Sequence, residues 1–125
     1  MQINDSLTIS DWMEVYKTLV RWELELEDVA TDMKEMLAMQ KREANVEFCK
    51  FVRKNYMSWM DTLVQHQLDN NRPLMSPEIF KNQVFPLLAK GEKVFFLLID
   101  NLRWDHWKTL LPELSEDFNI EETMY

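Results

Sequence analysis

Residues 91–107 read GEKVFFLLIDNLRWDHW, and this stretch decides how the whole chain is read. Gly91 is the only glycine in 125 residues, and six contiguous apolar residues, Val94 to Ile99, follow it and stop at Asp100. A run of that length, rich in β-formers, predicts a strand of about 20 Å. Its lack of polar alternation predicts cover on both faces, as in a parallel sheet. Helical spacing resumes after Asn101 in Leu102, Trp107, Leu110, Leu111 and Leu114, and NIEETMY at 119–125 offers a second short strand. The expectation for this end of the chain is βα(β).

Upstream the grammar differs. The first proline is Pro73, so residues 1 to about 70 hold no strong helix breaker. Ser10 is a candidate N-cap, with Asp11 and Glu14 in the positive first turn, and Trp12, Val15, Tyr16, Leu19, Trp22 and Leu26 recur at spacings of three and four. A helix from about Asp11 to Val29 follows. A second apolar stripe runs from Met33 through Phe48, Phe51, Tyr56 and Trp59 to Leu63, with Thr31 as its cap. Straight, residues 31–68 would span about 57 Å, so this helix must kink or project beyond a compact domain. The segment NNRPLMSPEIF is loop punctuation, and Ser76 with Pro77 opens a short helix that Pro86 disturbs and Gly91 terminates.

The totals exclude several classes of function. A net charge of −8, with acids outnumbering bases on both sides of residue 70, argues against direct nucleic-acid binding by this segment. No apolar run approaches membrane-spanning length and no signal peptide opens the chain, which points to a cytoplasmic protein without membrane contact. Cys49, the single cysteine, forms no internal disulfide, and its setting in VEFCKFV suggests a small buried hydrophobe. Neither GxxxxGK[ST] nor GxGxxG occurs, so the phosphate-cradling loops of nucleotide enzymes are missing.

Asp100 is the candidate site residue. Ligands of parallel α/β sheets sit beyond the carboxyl ends of strands, where a carboxylate serves a divalent cation, or acts as nucleophile or base. The competing reading is an N-cap for the following helix. A dehalogenase-type phosphatase would need a second aspartate two residues on, and position 102 is Leu. His66 and His106 make no metal cluster, and His106 reads as a surface residue. The acidic run ELELED, residues 23–28, reads as a solvated helix face, because alternate carboxylates on a helix diverge. Arg42, Lys50, Arg53 and Lys54 find Glu43 and Glu47 at helical spacings. The methionines and tryptophans read as core or inter-helix seam.

The block KVFFLLIDNLRWDHW, with LMSPEIFKNQVFPLLAKGE before it and the helical WELELE and EANVEFCKFVRKNY, resembles response regulators of the PorX type. Their effector is a PglZ domain of the alkaline phosphatase superfamily. The resemblance implies a mainly α chain: a helical linker or dimerisation hairpin at 1–72, then an N-terminal fragment of a PglZ-like α/β domain at 73–125. It implies that Asp100 matches a first-strand zinc ligand, and that Arg103, Trp104 and Asp105 follow it in structural roles. The threonine nucleophile and the other metal ligands would lie beyond Tyr125, so the 125-residue chain alone is expected to be inactive and to bind no zinc. The implied setting is a two-component regulator with a receiver domain before Met1, a sensor histidine kinase as partner, a homodimer, and a phosphodiesterase-like effector acting in secretion control. The rival expectation is a helical protein-interaction module with no catalytic role.

Overall fold

The computed structural model describes residues 3–4, 6–26, 31–65 and 72–125. Helix α1 spans Ile9–Glu25 and α2 spans Thr31–Val64; after a 3-10 turn at Ser76–Glu78 and a π-helical turn at Phe80–Val84 come α3 (Phe85–Ala89) and α4 (Trp104–Asp117). The protein is mainly α, as its periodicity predicts.

The cap of α1 is Thr8, two residues ahead of the expected Ser10. Its hydroxyl accepts from the Asp11 N–H while the Asp11 carboxylate takes the Thr8 N–H at 2.8 Å, a reciprocal box that satisfies two amides at once. The Thr8 hydroxyl also donates to the Asp11 carboxylate, at 2.6 Å, and this bond first, with that from the Thr8 N–H, holds the Asp11 carboxyl below its ordinary pKa. Trp12, Val15 and Leu19 then fall on one side of α1 and are buried with Leu37 and Ala44 of α2. Trp12 meets Phe48 edge-on at 5.4 Å, and Glu23 at the other end of α1 meets Lys41. Residue numbers that rise on one helix as they fall on the other make the pair antiparallel.

Helix α2 is unbroken over 34 residues, about 51 Å, against 17 residues for α1. Of the two expected outcomes, a kink or an overhang, the overhang is realised. Its last turns run past the start of α1. The expected helix end near Asn70 lies outside the described residues, as do Val29 and His66. Cys49 is exposed, not buried: in VEFCKFV the flanking Phe48 and Phe51 turn towards Trp12 and leave Cys49 outward.

The segment after Ser76 is helical but irregular. Pro86 has no N–H to give and crowds the preceding turn, and a π-helical turn stands where a regular helix would begin. Gly91 closes the segment at φ +81°, the left-handed conformation expected of it.

The βα(β) expectation is met only in its helix. Among the described residues Val94–Ile99 forms no strand, and neither does NIEETMY. A strand exists only by hydrogen bonding to a neighbour, and these two segments do not pair. Instead the Phe96 ring packs at a tilt against Phe80, centroids 4.6 Å apart, while Phe95, Leu97 and Leu98 are exposed. The 119–125 segment follows α4, and its Glu122 takes hydrogen bonds from Lys108 and from the Trp107 indole. α1 thereby lies between α2 on one side and α4 on the other.

Candidate functional site

Asp100 and Asn101 form a tight turn between the apolar segment and α4. Asn101 takes φ 58°, a conformation that asparagine tolerates better than most residues, and its N–H donates to Asp100 Oδ1 at 2.9 Å. Asp100 is exposed. The N-cap of α4 is Arg103, not Asp100, and it caps without a side-chain hydrogen bond. The carboxylate therefore stabilises its own turn rather than the helix.

No three His, Cys, Asp or Glu side chains converge among the described residues. One exposed carboxylate falls short of the three or four ligands that hold zinc, so the described residues do not by themselves fit that ion. His106 is exposed on α4, away from any such grouping.

What surrounds the turn is an alternating row of charges. Lys41 on α2 reaches both carboxylate oxygens of Glu23 on α1 at 2.6 Å. Arg103 Nη2 lies 4.0 Å from Glu23 Oε2 and 2.7 Å from Asp105 Oδ2 in the first turn of α4. Burial pushes the Asp105 carboxyl up, but the His106 N–H and the Arg103 guanidinium outweigh it and leave the pKa lowered. Trp104 is covered by Lys108 Nζ, 4.7 Å from the ring centroid. Arg103, Trp104 and Asp105 are thus held by contacts within and beside the first turns of α4. Glu23 is the residue that the sequence reading passed over. As one of several acids in ELELED it looks solvated, and only its position across from Lys41 and Arg103 distinguishes it.

Next to this row, a groove of about 610 Å³ has an apolar floor that includes Trp12, Leu19 and Phe48 and a rim that carries Glu23, Lys41, Arg103 and Tyr125. Residues from the helical hairpin and from the segment after Asp100 therefore line one cavity.

Two family models match the chain. Residues 1–60 match the PorX response regulator linker domain, and residues 79–125 match the BREX system PglZ alkaline phosphatase-like domain. The chain is thus similar to a PorX linker over its first part and to a PglZ domain over its last. This PorX–PglZ order fits a regulator linker joined to a phosphohydrolase-like effector. A comparison with curated proteins finds no match. Within the PglZ-type segment lie Asp100, Arg103 and α4, and within the PorX-type linker lie α1 and most of α2.

Proposed function

We propose that this chain is the helical stem and effector entry of a two-component response regulator whose output is a zinc-dependent phosphohydrolase of phosphodiesterase type. The observation that carries the reading is the order of the two family matches, linker first and PglZ-type segment second. The packing of α1 against both α2 and α4 supports it, since a stem that transmits a signal must touch what it controls. In this reading Asp100 supplies one zinc ligand, and the remaining ligands and the nucleophile belong to effector residues outside these 125. A sensor histidine kinase acts upstream, and control of secretion is the proposed output.

The proposal is tested on the full-length gene product with a chromogenic phosphodiester and metal analysis. Turnover that a chelator abolishes and zinc restores is expected, and Asp100→Asn should lower both zinc content and rate by at least tenfold. Full metal occupancy and rate in that variant would reduce Asp100 to a turn residue.

A second reading, a helical interaction module, is favoured by one observation. Met39, Val46, Met57 and Val64 are exposed along α2, and spacings of 7, 11 and 7 keep them on one side to within about 20°. That side is opposite the buried Leu37 and Ala44. In the regulator reading the same stripe is the homodimer seam. Full-length protein without phosphohydrolase activity under any metal would favour the module.

A further inference from the structure

The row Lys41, Glu23, Arg103, Asp105 crosses three elements and alternates in sign at each step. Glu23 stands between two cations. Lys41 holds it in two hydrogen bonds of 2.6 Å, and Arg103 stays 4.0 Å away. Arg103 in turn stands between two carboxylates and engages the nearer, Asp105, at 2.7 Å. Each inner residue thus has one committed partner and one alternative. Lys41 is the only member on α2, whereas Arg103 is three residues beyond Asp100 and its carbonyl accepts the first hydrogen bond of α4, from the Trp107 N–H at 3.0 Å.

We infer that these four residues form a charge relay through which the seating of α2 on α1 sets the Asp100–Arg103 turn. The relay rests on the reading of α1 and α2 as a regulatory stem. While α2 is seated, Lys41 occupies Glu23 and leaves Arg103 to brace Asp105 in the first turn of α4. When α2 rotates or slides, Lys41 leaves Glu23, and the freed carboxylate competes for Arg103. Arg103 is then drawn from Asp105 towards α1, and the turn that carries Asp100 moves with it. The pairs are half exposed, so each step shifts an equilibrium rather than throwing it fully over, which suits a graded regulator.

The test uses the chain itself, with the Trp107 amide as reporter of the Arg103 carbonyl and core amides of α1 and α2 as controls, by NMR-detected hydrogen exchange. Lys41→Gln should raise exchange at Trp107 by about two- to fivefold, the range that half-exposed ion pairs support, with Leu19 and Ala44 amides unchanged. Adding Glu23→Gln should return Trp107 to the wild-type rate, because the competitor for Arg103 is gone. About 0.5 M salt should shrink the Lys41→Gln effect. The relay is wrong if Lys41→Gln leaves Trp107 unchanged, if its effect survives in the Glu23→Gln background, or if α1 and α2 amides accelerate equally. This readout needs no catalysis, so a relay in a protein without hydrolase activity, or activity without a relay, would each be recognised.

Discussion

Glu78 accepts from both terminal nitrogens of Arg72 at 2.6 Å and from the Met75 N–H at 3.1 Å, closing the loop that leads into the 3-10 turn. The Arg72 hydrogen bonds, against the opposing effect of burial, lower its pKa to about 2. Because the folded pKa lies below the unfolded one, the stabilisation is complete above about pH 4.5 and is lost as pH falls towards 2. Glu78→Gln should therefore cost about 1.5–3 kcal/mol at pH 7 in urea titrations and almost nothing at pH 2, the difference marking the pair. Asn101 gives a second prediction at this scale. At φ 58° Asn101→Gly should be nearly neutral, whereas Asn101→Val should cost about 1–2 kcal/mol, read as a lowered urea midpoint. The Arg72–Glu78 pair does not stand out in the sequence: a loop arginine and a helix-start glutamate six residues apart are ordinary until the fold points one at the other.

At the scale of elements, α1 has two working faces. Trp12, Val15 and Leu19 bury against α2, while Val20 is buried along the cavity that α1 shares with Trp104 and Lys108 of α4. Leu19→Ala should cost about 2–5 kcal/mol, since it empties part of a close-packed seam; a loss under 1 kcal/mol would mean the hairpin collapses around the gap. The helices and the first of these faces were legible in the sequence, because the 3.6-residue period and the cap residues are local properties. The second face was not, because it is defined by α4, some eighty residues on. The composition of the apolar run VFFLLI predicts a strand. Its backbone pairs with no strand among the described residues, and its Phe96 packs on Phe80.

For the whole molecule, the prediction on assembly concerns the outer stripe of α2. Four exposed apolar residues on a helix about 51 Å long present a seam that a second copy would cover. Met39→Lys with Met57→Lys should shift sedimentation equilibrium towards a 15.2 kDa monomer while leaving the helical circular dichroism unchanged. A wild-type monomer over a wide concentration range would remove the seam from consideration. The sequence by itself determined that this chain is mainly α, that two long helices precede a proline-marked loop, that Gly91 ends a helix, and that Asp100 follows an apolar run. These follow from hydrogen bonds and side-chain periods that close within a few residues. Only the tertiary structure decided that VFFLLI pairs with no strand among the described residues, that Cys49 faces outward, and that Glu23 stands between Lys41 and Arg103. A strand needs a neighbour and an ion pair needs a partner, and both are supplied by residues far away along the chain, at distances that composition and spacing do not encode.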